Sequence, residues 1–336
     1  MKKIFLDLIR LGIGHTPFDM PEQIDWFAVQ ALARKHGLSA VVLDGLDKLP
    51  PSSYRMTDRL KRQWIGEVLQ NYEGRYSAYE KAIAGMAAFY NAHGYKMMVL
   101  KGYACSLDWP KPEHRPCGDI DIWQFGQQKE ADEVISQEHG IKIDTSHPRH
   151  TVFQWRDFIV ENHYDFVNVC GQKSSDELEE VLKDLAADDS YTVKVKGETV
   201  YLPSPNLHAL FLMCHMMNSF ATAELTLRQI LDWAFFIEKH KGEIDGEWLL
   251  GQLEKFHMKG FFNIVNAICV EDLGFSTEIF VLGVQYNPLL KEMVLRDLLS
   301  LRFTAPEPRG LLKRLVYRYR RWRGNAWKRK MMESWH

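Results

Sequence analysis

The segment "GDIDIW" constrains the fold of this chain most strongly, because it alternates charged and apolar residues over a short stretch. Asp119 and Asp121 alternate with Ile120 and Ile122, and successive side chains of a β-strand point to opposite faces. We therefore predict a strand whose isoleucines enter a core and whose carboxylates, with Cβ atoms about 7 Å apart, share the other face. Carboxylates placed in this way can bind hard divalent cations such as Mg²⁺, which prefer oxygen ligands.

The hydrophobic period changes along the chain and divides it into four predicted parts. Helical spacing dominates the beginning of the chain and returns in its second half. Between them lie short apolar or alternating runs separated by helical segments, a pattern that favours an α/β core with a mixed sheet. The prediction is an α+β protein with a helical N-terminal region (1–94), the α/β core (95–203), a helical C-terminal domain (204–308) and a basic amphipathic tail (309–336).

Several local signals predict individual elements within these parts. Gly37 and Gly140 each follow an amphipathic segment and are predicted to end a helix. Lys196–Gly197 lies between two alternating runs and predicts a hairpin turn. We also expect Gly74 to separate two helices and residues 141–146, "IKIDTS", to form a strand.

Candidate phosphate-binding residues lie just before the two aspartates. The run "VLKG" predicts a strand that ends at Lys101 and Gly102 and opens a short helix, and glycine together with a helix N-terminus favours close approach of an anion. Arg115 offers a second phosphate contact, and we include Gly118 among the nucleotide-binding candidates. Phosphate contacts beside a D-x-D strand are the layout expected for metal-assisted nucleotidyl transfer.

The segments "LKGYACSLDWP" and "RPCGDIDIW" together resemble the uncharacterised nucleotidyltransferase family of the DNA polymerase β-like superfamily. In this sequence Lys101 replaces the first glycine of the superfamily pattern, and the interval from Gly102 to Asp119 is longer than in minimal members. The resemblance implies a polymerase β-like core that transfers a nucleoside monophosphate from an NTP, such as ATP, to an acceptor. It also implies Mg²⁺ or Mn²⁺ as cofactor and pyrophosphate as a product.

A second motif, "VENHYDF", resembles the family's strand that carries a third carboxylate. The resemblance implies that Glu161 joins Asp119 and Asp121 as a catalytic metal ligand, or acts as the base that takes the acceptor's proton. Asp165 is the fallback for this role, and His163 is a possible substrate contact.

A third match lies in the helical segment "LTLRQILDW". Arg228 and Asp232 are four residues apart and are therefore neighbours on one helix face. By resemblance Arg228 contacts the nucleotide and Asp232 contacts a substrate, while an ordinary helix salt bridge is the open alternative. The resemblance covers about residues 20–290.

Cysteine usage and hydropathy favour a cytoplasmic location. The five cysteines are scattered without a C-x-x-C pair, which favours reduced thiols over a disulfide framework. Asp7 and Arg10 interrupt the apolar beginning of the chain, so we interpret it as a helix rather than a signal peptide. Apolar runs fall short of the roughly 18 residues of a membrane span, and we expect no transmembrane segment.

Charge is distributed unevenly along the chain. Residues 309–336 contain ten Lys or Arg and one acid, so this tail carries +9 while the rest carries −11 of the net −2. Basic residues mixed with aromatic and aliphatic ones suit a membrane surface, an acidic partner or a nucleic acid. Packing of the tail on the chain's own acidic surface is equally open.

Two rival functions remain open at this point. One is a catalytically inactive nucleotide- or partner-binding module, of the kind found in toxin–antitoxin and defence systems where such folds recur. The other is a nucleic-acid-binding protein that uses the basic tail.

His147 and His150 have no Cys or His partner at ligand spacing in the sequence, so we predict no metal site there. The acceptor, whether small molecule, protein side chain or RNA end, is undetermined.

Overall fold

The computed structural model describes residues 1–15, 19–167, 173–222, 225–280, 286–300 and 308–333. The strands, in chain order, are β1 (Met98–Val99), β2 (Ile120–Trp123), β3 (His150–Trp155), β4 (Phe158–His163), β5 (Thr192–Val195) and β6 (Glu198–Tyr201). The helices, in chain order, are α1 (Lys2–Gly12), α2 (Trp26–His36), α3 (Ser39–Asp47), α4 (Asp58–Val68), α5 (Arg75–Ala92), α6 (Gly102–Ser106), α7 (Gln128–His139), α8 (Lys173–Ala186), α9 (Pro205–Ala221), α10 (Leu227–His240), α11 (Gly246–Lys255), α12 (Lys259–Ala267), α13 (Pro288–Leu298), α14 (Leu311–Gly324) and α15 (Ala326–Glu333). Short 3₁₀ turns lie at Pro51–Ser53 and Pro112–His114, and π-helical turns at Leu69–Gly74 and Ile268–Asp272.

The chain forms two compact units. The first unit is helical in its described residues and comprises Met1–Ile65, Met213–Glu238 and Gly246–His336. The second unit comprises Gly66–Leu212 and Lys239–Asp245 and contains the sheet. The four-part division expected from the sequence stays a prediction. In the described part of the chain, no helix combines the length and the hydropathy needed to cross a bilayer.

The sheet of the second unit has six strands in the order β3-β4-β2-β1-β6-β5. The central pairs β2–β4 and β1–β6 are parallel, and β1–β2 is antiparallel. Antiparallel hairpins, β3–β4 and β5–β6, form the two edges. A mixed sheet combined with helices confirms the predicted α+β class.

One face of this sheet packs against α5 and α7. Ile120 and Ile122 are fully buried in a cluster that includes Ile83 of α5 and Ile135 of α7. Each isoleucine removed from water in this way stabilises the fold by roughly 1.5–3 kcal/mol. The isoleucines of "GDIDIW" therefore occupy the core, as predicted, and the alternate positions of β2 face the other side of the sheet.

Most local predictions agree with the structure. Gly37 and Gly140 both lie directly after a helix in the left-handed conformation, with φ of 68° and 65°. Lys196 and Gly197, with φ of 49° and 95°, form the turn between β5 and β6.

Two local predictions were wrong. Gly74 does not separate two helices, because the chain continues from α4 through a π-helical turn directly into α5. Residues 141–146 do not form a strand; Asp144 alone makes an isolated bridge to Val152 of β3. Most side chains of this segment are exposed, so little apolar burial is available to extend the pairing along β3.

Candidate functional site

Three carboxylates meet at neighbouring positions of β2 and β4. Asp121 lies directly opposite Glu161 in the parallel pairing of the two strands, and Asp119 immediately precedes β2. The carboxylate oxygens that Asp119, Asp121 and Glu161 offer lie within 4.8 Å of one another. Asp121 is only 3% exposed, Glu161 is half-buried and Asp119 is exposed, so the cluster extends from the interior of the unit to its surface.

Lys101 contacts the buried member of this cluster. Its Nζ lies 2.7 Å from Asp121 Oδ1, and it also lies 5.7 Å from the centre of the Phe211 ring. The backbone of Lys101 has a φ of 40°, in the region that favours glycine. This conformation gives a physical reason for the glycine of the superfamily pattern, and the lysine that replaces it here supplies a cation to the site.

Gly102 allows a close approach that fixes the backbone at Asp119. The Tyr79 hydroxyl donates a hydrogen bond of 2.7 Å to the carbonyl oxygen of Asp119. A Cβ atom on Gly102 would lie 2.7 Å from that same hydroxyl oxygen. Tyr79 is therefore a positioning residue that the sequence did not indicate, because it lies 40 residues before Asp119 along the chain.

His163 links two of the carboxylates from the end of β4. Its Nε2–H donates to Asp121 Oδ1 at 2.9 Å, and the same nitrogen lies 3.6 Å from Glu161 Oε2. Burial alone would lower the pKa of this imidazole, but its hydrogen bonds to Asp121 and Glu161 outweigh burial and raise the pKa. The protonated form of His163 is therefore favoured beside the carboxylates.

Lys101 and His163 change the pKa values of the carboxylates beside them. Burial by itself would raise the pKa of Asp121, but the Lys101 ammonium and the His163 hydrogen bond hold it well below its usual range. The hydrogen bond from His163 likewise lowers the pKa of Glu161. Both groups are thus stabilised as anions, which is the form that binds a divalent cation.

A second histidine reaches Glu161 from the neighbouring strand. His150 of β3 lies directly opposite His163 of β4, and its Nε2 is 3.7 Å from Glu161 Oε1. Burial lowers the pKa of His150 to about 4, which keeps the imidazole neutral near pH 7. The potential ligand atoms of His150, Glu161 and His163 lie within 4.8 Å of one another. The sequence showed no partner for His150 because sheet pairing, not spacing along the chain, supplies it.

The donor set fits a divalent cation. Carboxylate oxygens suit Mg²⁺ and Mn²⁺, which both prefer oxygen ligands. Asp119, Asp121 and Glu161 are the residues that could hold Mg²⁺. His150 and His163 adjoin this set.

The other candidate residues occupy different surroundings. Arg115 is buried, and its Nη1 donates to the Pro116 carbonyl at 3.3 Å. Gly118 is exposed, with open space where a Cβ would lie. Asp165 forms an ion pair of 2.5 Å with Lys183. The structure therefore gives Asp165 a partner of its own.

Arg228 and Asp232 lie on the part of α10 that belongs to the first unit. The carboxylate cluster belongs to the second unit. The roles of Arg228 and Asp232 stay predictions.

The converging carboxylates, with Lys101 and His163 beside them, form a group that could hold a divalent cation. A family model described as "Uncharacterised nucleotidyltransferase" matches residues 22–273. The match covers about three quarters of the chain, so the chain belongs to this uncharacterised nucleotidyltransferase family, as its motifs predicted. The family supports nucleotidyl transfer as the general activity.

No curated protein sequence matches the chain. Among solved structures, the chain is similar to an antigenic nucleotidyltransferase-like protein from Paracoccidioides brasiliensis, with 14% sequence identity and a TM-score of 0.38. That similarity covers 60% of this chain and 96% of the fungal one.

Proposed function

We propose that the protein is a nucleotidyltransferase that requires Mg²⁺ or Mn²⁺ and transfers a nucleoside monophosphate from an NTP to an acceptor. The observation that carries the proposal is the convergence of Asp119, Asp121 and Glu161, whose oxygens lie within 4.8 Å of one another. Membership of the nucleotidyltransferase family supplies the reaction type.

The reaction replaces one phosphate ester or anhydride bond with another. The acceptor's nucleophilic atom forms a bond to the α-phosphorus, the bond from that phosphorus to its bridging oxygen breaks, and pyrophosphate leaves. A divalent cation bound by the carboxylates would stabilise the charge that develops on the attacking and leaving oxygens. Glu161 either completes the cation's ligands or accepts the proton that the acceptor loses.

Lys101 and His163 organise the carboxylates for this role. Both contact the same oxygen of Asp121, at 2.7 and 2.9 Å, and so hold its carboxylate in one orientation. Lys101 is also a candidate contact for the triphosphate, and His163 a candidate contact for a substrate. The remaining proposed contacts are Gly102, Gly118, Arg115 and Arg228 for the nucleotide, and Asp232 for a substrate.

The acceptor stays open among a small molecule, a protein side chain and an RNA end. A cytoplasmic location also stays a prediction. Because the acceptor is unknown, an assay must offer several acceptor pools and must also detect pyrophosphate, which forms whichever acceptor is used.

The proposal is tested by incubating the protein with each of the four α-labelled NTPs and Mg²⁺ or Mn²⁺. Separate reactions contain a metabolite extract, total RNA and denatured protein as acceptors, and both label transfer and pyrophosphate are measured. We expect cation-dependent transfer that falls at least 100-fold in Asp121→Asn and Asp119→Asn, as expected when a ligand of a catalytic cation is lost.

Asp157→Asn provides the matched control. Asp157 is an exposed carboxylate in the turn between β3 and β4, outside the cluster, and its substitution should leave transfer unchanged. Equal activity in Asp121→Asn and the unmodified protein would contradict the proposal. Cation-independent NTP binding without turnover would instead favour the nucleotide-binding module.

A further inference from the structure

Helix α14 carries an exposed apolar stripe. Its sequence, LLKRLVYRYRRWRG, places six large apolar side chains on one side of the helix, within an arc of roughly 140°. These side chains are between 45% and 78% exposed, and they are Leu311, Leu312, Leu315, Val316, Tyr319 and Trp322. No residue of α14 is buried. A stripe of this kind normally faces a core, so its exposure calls for another apolar environment.

The helix presents its opposite side to the rest of the first unit. Its less exposed residues are Tyr317, Arg321 and Gly324, which lie on the far side of the helix from the stripe. Arg321 donates a hydrogen bond to the carbonyl oxygen of Thr222. The polar side of α14 is therefore held against the protein, and the apolar stripe points outward.

The following helix anchors this orientation. Lys328 of α15 is 1% exposed, and its Nζ contacts Asp297 at 2.5 Å and the Phe220 carbonyl at 3.2 Å. Trp327 packs edge-on against the Phe220 ring, with centroids 5.8 Å apart. Helix α15 is thus packed against other residues of the first unit. In α14, by contrast, no residue is buried and the apolar stripe is exposed.

Cations border the apolar stripe on both sides. Helical spacing places Arg320 and Lys313 along one border and Arg314 and Arg318 along the other. Arg323 falls within the arc itself, near the end of the helix. The sequence of α14 contains no acidic residue. An apolar stripe between two rows of cations matches the boundary of a bilayer, where acyl chains lie beneath anionic head groups.

We propose that α14 binds the surface of a membrane that contains anionic lipids, with its axis along the surface. The apolar stripe enters the acyl region, and the bordering arginines pair with lipid phosphates. A nucleic acid would satisfy the arginines but leave the leucines exposed to water. A second copy of α14 would cover the leucines but bring two rows of like charges together.

The test is co-sedimentation of the full-length protein with vesicles. One set contains phosphatidylcholine alone, and the other contains about 30 mol% phosphatidylglycerol, enough to give a negative surface. We expect binding to the anionic vesicles that is at least tenfold tighter than to the neutral ones. The variant Leu312→Ser/Trp322→Ser should weaken that binding at least tenfold, because it removes two side chains of the stripe.

Leu289→Ser provides the matched control for this variant. Leu289 lies on α13 and is 76% exposed, against 77% for Leu312, but it is outside the stripe. Its substitution should leave vesicle binding unchanged, and circular dichroism verifies that each variant is folded. Two results would overturn the proposal. One is absence of binding to anionic vesicles, and the other is a loss of vesicle binding in Leu289→Ser equal to that in Leu312→Ser/Trp322→Ser. Salt-sensitive RNA binding that survives Leu312→Ser/Trp322→Ser would assign α14 to nucleic acid instead.

Discussion

At the scale of single residues, Gly102 shows how a missing side chain positions a carboxylate. The space beside its Cα is filled by the Tyr79 hydroxyl, which holds the Asp119 carbonyl. The role expected from sequence for Gly102 was close approach to a phosphate. The structure adds a second reason for glycine at this position, since any Cβ would displace the hydroxyl.

This arrangement predicts a specific dependence between two substitutions. Gly102→Ala should lower the free energy of unfolding by about 2 kcal/mol, because the new methyl group overlaps the Tyr79 hydroxyl. Tyr79→Phe alone should lower it by about 1 kcal/mol through the lost hydrogen bond. In the Tyr79→Phe background, Gly102→Ala should cost less than half of its original effect. The nearest remaining atoms are then the Asp119 carbonyl oxygen at 3.6 Å and Tyr79 Cζ at 3.8 Å, which are ordinary contacts.

A double-mutant cycle by urea denaturation measures this coupling. An equal cost of Gly102→Ala in both backgrounds would show that the clash lies elsewhere. The conservative Tyr79→Phe variant should also retain folding, so that nucleotidyl transfer can be compared between the four proteins.

At the scale of elements, the hairpin β5–β6 has a turn whose backbone favours a different residue. Lys196 and Gly197 both have positive φ, as a type I′ turn requires, and asparagine is favoured over lysine at the first of these positions. Lys196 forms a 3.0 Å ion pair with Glu80, but both side chains are partly exposed, so the pair contributes little.

We therefore expect Lys196→Asn to raise the free energy of unfolding by about 0.5 kcal/mol. The stability gained because asparagine favours this turn conformation should exceed the stability lost with the ion pair. Lys194→Asn is the matched control, because Lys194 lies in β5 and asparagine is disfavoured in strands. Chemical denaturation should show opposite signs for the two variants. A loss of stability in Lys196→Asn would mean that the ion pair with Glu80 dominates.

At the scale of the whole molecule, the stability of the first unit depends on keeping one histidine neutral. His36 stacks on Phe5 with ring centroids 5.5 Å apart, and its Nδ1 accepts a hydrogen bond from the Leu227 backbone N–H at 3.2 Å. Burial, reinforced by the charge of Lys35, lowers the pKa of His36 to about 3. The unfolded chain gains a proton there below about pH 6.5, whereas the folded chain does not until about pH 3.

The stability contributed by neutral His36 is therefore complete above about pH 6.5 and is lost as the pH falls towards 3. Between pH 7 and pH 5.5 the loss should be about 1.3 kcal/mol. His36→Gln keeps an acceptor for Leu227 but cannot titrate, and the remaining histidines are the same in both proteins. The variant should lose correspondingly less stability over this interval in urea denaturation. Identical pH dependence of the two proteins would refute the assignment to His36.

The sequence by itself determined the features that depend on neighbouring residues. The alternation of apolar and charged residues in β2 predicted that Ile120 and Ile122 lie in the core and the aspartates on the other side of the sheet. Glycines likewise predicted the ends of α2 and α7. The family motifs also predicted the nucleotidyltransferase family, which the family model confirms. Each of these signals acts within one strand, one helix end or one short motif, where local geometry decides the outcome.

Only the tertiary structure decided which distant groups meet. It placed Glu161 opposite Asp121, His150 opposite His163, and the Tyr79 hydroxyl against the Asp119 carbonyl. It also decided that α14 turns its apolar side outward, which the amphipathic pattern of the tail left open. The contacts in the site depend on the order of the strands, and the orientation of α14 depends on the packing of α15. Burial of apolar surface and pairing between residues far apart in the chain fix both features.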